Sequence, residues 1–217
     1  MTPIVLLLSL LPVAGCFGSS APSRSHFVLH GITATQAPGA PFAGLVRVRN
    51  LDAANIYEKS QIVVRKNPYE LQYSEDNVWA VKPSNMVSDV IARALADSGR
   101  FTSVVRQLGE VRPDYILGGD LRAIEVYDSG DIWFAHVSLA LHLTRVKNGE
   151  TIYSFTFDQR RRLPERSFAQ AARAISELLS IAIEKLIVEL DGVDAPRVEV
   201  DEDEALRAPD ASAAEPA

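Results

Sequence analysis

The alternation of apolar and polar positions is clearest in the second half of the chain. One run alternates at Trp133, Ala135, Val137, Leu139, Leu141 and Leu143, and another at Tyr153, Phe155 and Phe157. A period of two predicts half-buried strands, and Asn148-Gly149 between them predicts a hairpin. A three-residue loop over 147–149 sets Leu143 opposite Tyr153 and keeps both apolar sets on one face. A two-residue loop would set Leu143 opposite Ser154, so the longer loop is favoured.

Two segments instead carry a helical period. The first begins at Pro83 and ends before Gly99, with apolar side chains on one face at Val87, Val90, Ile91, Ala94 and Leu95. The second begins at Ser167, whose spacing to Gln170 predicts a capping box. Its apolar stripe consists of Phe168, Ala171, Ala172, Ile175, Leu178, Leu179, Ala182 and Leu186. A stripe of this width predicts that the helix lies on a sheet.

Shorter β-prone runs occupy the rest of the first half. They cover residues 26–29, 45–49, 62–66, 69–73, 104–105 and 114–127. Asn67-Pro68 predicts a turn between the third and fourth of these runs. Gly118-Gly119 in the last run predicts a bulge or a close backbone approach. The predicted fold is a single α/β domain of the α+β type, with a mainly antiparallel sheet and two principal helices packed on one face.

The amino end has a different character. Residues 4–13 form a short apolar run, followed by Ala14, Gly15 and Cys16. The run has the length of a signal-peptide core and is too short to span a bilayer. The sequence Val13-Ala14-Gly15-Cys16 resembles the lipobox of bacterial lipoproteins, which implies that Cys16 carries a diacylglyceryl group and becomes the first residue after cleavage. A buried core cysteine is the alternative, but the Gly/Ser/Pro-rich residues that follow favour a flexible tether.

Composition changes again near the carboxyl end. The net charge is −6, and the segment after Leu190 carries nine acids and two arginines, without apolar periodicity. We therefore predict a signal peptide at 1–15, a tether at 16–25, one domain at 26–190 and a disordered acidic tail at 191–217. The tail is interpreted as a solvated end, with attraction of a basic partner as the alternative. The remaining body is nearly neutral, so a nucleic-acid partner is not expected.

No constellation typical of an enzyme is found in the sequence. It lacks a Gly-x-Ser-x-Gly elbow, a P-loop and a His-Glu-x-x-His helix, and its one cysteine is assigned to the anchor. His136 and His142 are interpreted as structural or solvent-facing residues. The run Arg160 to Arg162 lies at a predicted strand end, where successive side chains alternate faces and do not form one patch. We expect no enzymatic activity, no cofactor beyond the lipid on Cys16, and no metal.

One segment carries a family resemblance. Arg65, Pro68-Tyr69-Glu70-Leu71 and Trp79-Ala80 precede the first helix, and Pro113-Asp114-Tyr115-Ile116-Leu117 follows it. In this order they resemble the ABC-type transport auxiliary lipoprotein family, which includes PqiC-like proteins. The resemblance extends over most of residues 12–190. His26-Phe27-Val28-Leu29 and Val81-Lys82 depart from the family pattern.

The resemblance implies a function in the bacterial envelope. Such proteins accompany an ABC transporter and an MCE-domain protein that move lipids or other hydrophobic molecules between two membranes. The implied position is the periplasmic face of the outer membrane, with a ring of copies as the implied assembly. The alternative is an envelope lipoprotein that regulates a cell-wall synthase or a secretion complex.

Four residues of the matching segment are candidates for partner binding. Tyr69, Tyr73 and Trp79 offer aromatic surface of the kind that anchors interfaces, and Arg65 is the polar candidate beside them. Packing onto the sheet is the alternative interpretation for the three aromatic residues.

Overall fold

The computed structural model describes residues 23–198, except residues 31, 33, 38 and 108. Nine strands and two helices occupy this part of the chain. The strands are β1 (Ser25–Phe27), β2 (Phe42–Val48), β3 (Asp52–Ala53), β4 (Gln61–Asn67), β5 (Glu70–Trp79), β6 (Phe101–Val105), β7 (Tyr115–Asp128), β8 (Trp133–Arg145) and β9 (Glu150–Arg162). The helices are α1 (Pro83–Asp97) and α2 (Phe168–Glu189), and a short 3-10 turn covers Asn55–Tyr57.

The long strand β7 organises the sheet. One of its edges pairs with antiparallel β8, which pairs in turn with antiparallel β9. Its other edge pairs in succession with β2, β3 and β4, all parallel to it. Strand β6 continues the sheet beyond β2, and β5 and β1 continue it beyond β4. Strands β2, β3 and β4 thus pair with three successive parts of the same edge of β7.

The predicted α+β domain is confirmed, with one refinement to the sheet. Its longest ladders, β7 with β8 and β8 with β9, are antiparallel as predicted. The shorter strands add parallel pairings, so the sheet as a whole is mixed. Parallel partners lie far apart in sequence, and local periodicity carries no information about them.

Both helices lie on one face of this sheet and cover the apolar sets that the sequence pattern identified. Helix α2 packs on β8 and β9, and α1 packs on β2, β6 and α2. The alternating residues Ala135, Val137 and Leu139 are all buried beneath them. The predicted capping box is wrong, because the Ser167 side chain makes no capping hydrogen bond.

The hairpin of β8 and β9 has the predicted register. Leu143 faces Tyr153, Leu141 faces Phe155, and Leu139 faces Phe157. The predicted three-residue loop is wrong, because Arg145 pairs with Glu150 and the loop has four residues, 146–149, ending in Gly149 with φ 71°. A register shift between Leu143 and Thr144 compensates for the extra loop residue, so the buried face keeps the predicted pairing.

The folded body extends beyond the predicted boundary at Leu190. Arg197 pairs with Phe42 in an isolated bridge, donates to the carbonyl of Ala40, and lies 4.7 Å from the Phe42 ring. Asp191 accepts a hydrogen bond of 2.9 Å from Arg100, whose side chain is fully buried. Because these contacts hold residues 191–198 on the body, the prediction that disorder begins at 191 is wrong for them.

The predictions for Cys16, the signal peptide, most of the tether and residues 199–217 lie outside the described residues. Within the described part of the chain, neither helix is long and apolar enough to cross a membrane.

Candidate functional site

The sheet face that turns away from the helices carries an ordered set of polar and aromatic side chains. Residues that pair across neighbouring strands share a face, so the strand register defines two rows. The first row is Tyr73, Val63, Glu125, His136 and Arg160, and the second is Leu71, Arg65, Tyr127, Phe134 and Arg162. We call this surface, together with Lys59 beside Tyr73, the open face.

A buried carboxylate lies at the centre of the open face. Glu125 is 1% exposed and accepts hydrogen bonds from Tyr57 Oη at 2.6 Å and from Arg65 Nε at 2.8 Å. His136 Nδ1 lies 3.1 Å from the same carboxylate, and its Nε2 lies 3.2 Å from Asp158 Oδ1. A buried charge is tolerated when it is paired and hydrogen-bonded, and Glu125 is both.

These contacts determine the charge states in the cluster. Burial raises the pKa of Glu125, but the hydrogen bonds from His136, Arg65 and Tyr57 outweigh it and lower the pKa to about 2. Burial, followed by the hydrogen bond to Glu125, raises the pKa of Tyr57 above its ordinary value. The hydrogen bond to Glu125 raises the pKa of Arg65.

The cluster is therefore ill suited to proton transfer at neutral pH. A general acid or base works best when its pKa lies near the working pH. Glu125 stays ionised and Tyr57 stays protonated, so neither exchanges a proton readily at that pH. The geometry favours a role in holding β4, β7 and β8 together beneath the surface.

Above this cluster, two cations lie on aromatic rings. Lys59 Nζ is 4.5 Å from the centroid of the Tyr73 ring, and the Arg160 guanidinium is 4.7 Å from that of Tyr127. Arg160 and Arg162 are exposed at the end of β9, and among the described residues neither forms an ion pair with an acid. The half-buried Phe134 lies opposite Arg162 in the register. The open face thus presents cations and aromatic surface side by side.

The arginine run is divided as the alternation predicts. Arg161 lies on the helix side and forms an ion pair with Glu177 of α2. Arg160 and Arg162 share the opposite face with Arg65. The three arginines do not form one patch, but two of them belong to the open face, and the sequence interpretation missed this.

The four candidate residues for partner binding are separated by the structure. Tyr69 is 99% exposed at the tip of the hairpin between β4 and β5. Arg65 and Tyr73 lie on the open face, where Arg65 is bonded to Glu125. Trp79 is 1% exposed in the hydrophobic core, so its assignment to a binding surface is wrong. The packing alternative applies to Trp79, because its side chain belongs to the hydrophobic core.

Three residues of the site were not identified from the sequence. The sequence pattern singles out neither Tyr57 nor Glu125, and it predicts a structural or solvent-facing His136 without indicating its partners. The available signal was Glu125 itself, a single acid within the apolar run Ala123-Ile124-Glu125-Val126. A buried acid in a strand demands a cation or a donor nearby, but the sequence does not say which one.

A mixed sheet with two helices on one side and a polar, aromatic face on the other defines a small α+β domain. The chain belongs to the family of ABC-type transport auxiliary lipoprotein components, whose model matches residues 27–186. Members of this family are auxiliary components of ABC-type transport. A comparison with curated proteins finds no significant match.

Two solved structures with TM-scores above 0.6 show the same fold. A DUF330 family protein from Xanthomonas campestris is 27% identical, with a TM-score of 0.65, over 74% of this chain and 91% of that one. An uncharacterised protein is 11% identical, with a TM-score of 0.62, over 77% and 99% of the two chains. A PelC dodecamer from Paraburkholderia phytofirmans is 14% identical, with a TM-score of 0.46, over 71% and 96%.

Proposed function

We propose that this protein is a lipid-anchored accessory subunit of an ABC/MCE-type system that moves lipids or other hydrophobic molecules across the bacterial envelope. The anchor is the acyl group on Cys16, and the site of action is the periplasmic face of the outer membrane. Membership of a transport auxiliary lipoprotein family is the observation that carries the proposal. The ring of copies that the resemblance implies stays a prediction.

The open face and the hairpin tip support a role in protein binding. Aromatic and arginine side chains are enriched at interface centres because they bury a large area with few rotatable bonds. Tyr69 is fully exposed, and Arg160 and Arg162 are exposed arginines that form no close ion pair among the described residues. We propose that an MCE-domain protein contacts this surface.

The acyl chains on Cys16 would hold the protein at the membrane. Each methylene buried in lipid contributes about 0.8 kcal/mol, so two or more chains hold a protein stably at a bilayer. The last residue of the predicted tether 16–25 lies in β1, so the nine residues from Cys16 to Arg24 reach at most about 30 Å from the lipid attachment point. The anchor would therefore keep the open face close to the membrane and to membrane-bound partners.

We expect Arg160→Glu with Arg162→Glu, or Tyr69→Ala, to reduce co-purification of the MCE-domain protein at least about five-fold, which corresponds to about 1 kcal/mol. The measurement is affinity capture of the full-length protein from native membranes, with every co-purifying protein identified. These side chains are exposed, so the variants should remain folded.

The matched control is Arg112→Glu with Lys147→Glu, which reverses the same amount of charge on another exposed surface. It should leave capture unchanged. Capture of a cell-wall synthase or secretion component in place of transport proteins would contradict the proposal. Equal capture by the open-face variants and the wild type would show that the partner binds elsewhere.

A further inference from the structure

The charge on the open face and the charge on the end of this chain are complementary. Lys59 and Arg160 lie on aromatic rings, and Arg162 forms no ion pair among the described residues. The acids of the same surface are Glu125, which is buried under Arg65, and the exposed Asp158, which lies near His136 and interacts with the charge of Arg160. One exposed acid faces two arginines, so the edge formed by Arg160 and Arg162 keeps a net positive charge.

The sequence beyond Val198 supplies the opposite charge. Five of the six residues from 199 to 204 are acidic, namely Glu199, Asp201, Glu202, Asp203 and Glu204. This stretch follows directly after Val198, whose backbone N–H donates to the carbonyl of Pro41. Val198 is therefore the point at which the acidic stretch leaves the folded body.

The length of this acidic stretch decides which copy it can reach. Val198 leaves the body close to Tyr115, since Phe42 beside it lies 6.3 Å from the Tyr115 ring. Twelve residues of β7 separate Tyr115 from Tyr127, which corresponds to about 40 Å along the strand. Six extended residues span at most about 21 Å. The stretch 199–204 cannot reach the open face of its own chain.

We propose that the acidic stretch 199–204 of one copy binds the open face of a second copy, with its carboxylates on Arg160 and Arg162. Arginine binds carboxylates with paired, charge-assisted hydrogen bonds, and Tyr127 and Phe134 bury the intervening chain. Lipid anchoring places copies in one membrane and raises their concentration relative to each other. The contact rests on the proposed lipid anchor but not on the proposed MCE-domain partner.

The contact has a regulatory consequence, which rests on the proposed function. If the MCE-domain protein uses the same surface, the tail of a neighbouring copy competes with it. Removal of residues 199–217 should then increase capture of the MCE-domain protein, whereas reversal of charge on the open face should decrease it. The two outcomes separate the tail contact from the partner contact.

The direct test is photo-crosslinking of the full-length protein in native membranes, with a photoreactive amino acid in place of Val200. The expected product is a covalent dimer whose cross-link maps to the open face, in β4, β5 or the ends of β8 and β9. Arg160→Glu with Arg162→Glu should reduce this product at least five-fold. Lysine in place of residues 201–204 should restore it in that variant.

Three results would overturn the proposal. The first is a cross-link within one chain, and the second is a cross-link to an unrelated protein or to lipid. The third is a dimer whose cross-link maps to the cleft of about 460 Å³ lined by Arg112, Arg145, Lys147 and Pro196, which is the other cationic surface near Val198. Arg112→Glu with Lys147→Glu serves as the matched control and should leave the product unchanged.

Discussion

Replacement of Glu125 by alanine is expected to lower the free energy of unfolding by about 3 kcal/mol, because breaking a buried ion pair leaves its partners without a counter-charge. Arg65, Tyr57 and His136 would all lose their common acceptor. The expected loss lies at the low end of the range for buried pairs, since the Arg65 side chain is still 19% exposed. Urea unfolding monitored by circular dichroism measures the change.

Asp158→Asn is the matched control, because its carboxylate is 63% exposed and contacts the same histidine. Its effect should stay within about 1 kcal/mol. An unfolding free energy for Glu125→Ala equal to that of the wild type would show that the cluster does not hold the strands together.

The same cluster predicts how acid affects stability. The pKa of Glu125 in the folded protein is about 2, below its ordinary value of 4.5. A lowered pKa contributes stability above the ordinary value, and this contribution is lost as the pH falls through the folded value. The difference in unfolding free energy between the wild type and Glu125→Ala should therefore be constant above pH 5 and shrink as the pH falls from about 4.5 toward 2.

Gly119→Ala is expected to prevent folding or to lower the free energy of unfolding by more than about 4 kcal/mol, because a side chain at this position would clash with the backbone of the neighbouring strand. Gly119 has φ 146°, which disfavours any side chain. A Cβ there would lie 2.0 Å from the carbonyl oxygen of Ala140 and 2.8 Å from the Cα of Leu141. Both contacts are with the backbone of β8, which pairs with β7 along its whole length.

Gly118→Ala is the neighbouring control. Its Cβ would meet His142 Nε2 at 3.3 Å, and this exposed side chain can rotate away. A cost of about 1 kcal/mol is expected, as for an ordinary substitution. The yield of folded protein and the thermal midpoint compare the two variants, and equal values would contradict the close approach of β7 and β8.

Much of the fold could be predicted from the local pattern of apolar and polar residues. The register of β8 and β9 followed from keeping Leu143 and Tyr153 on one face, and the helix bounds followed from apolar spacing and Gly99. The pair Gly118-Gly119 indicated a close backbone approach, which occurs at Gly119. In each case the information lay within a few residues, because side-chain period and backbone freedom are local properties.

The site was harder to predict, because its parts come from distant strands. Tyr57 and Glu125 are 68 residues apart, and Arg65 and Glu125 are 60 apart. Alternation shows that β4 and β7 have two faces, but not that their parallel pairing sets Arg65 beside Tyr127. For the same reason the aromatic series Tyr69, Tyr73 and Trp79 did not reveal that its last member is buried beneath the sheet.

Variants of Trp79 and Arg65 do not test the proposed function cleanly, because both side chains stabilise the fold. Trp79→Ala removes a buried aromatic side chain and should cost about 3–5 kcal/mol of stability, so a loss of binding would reflect unfolding. Arg65→Glu would place a second carboxylate against Glu125, with the same difficulty. Arg160, Arg162 and Tyr69 are exposed and report on the surface itself.

The membrane location and the access to partners both depend on the acyl anchor. The contact between the acidic stretch of one copy and the open face of another depends on it as well. Mass spectrometry of the polypeptide purified from native membranes tests the anchor most directly. The account predicts a mature chain that begins at Cys16 and carries the mass of a diacylglyceryl group there, with Cys16→Ser released from the membrane fraction. A chain that retains its first fifteen residues, without acyl groups and in the soluble fraction, would contradict it.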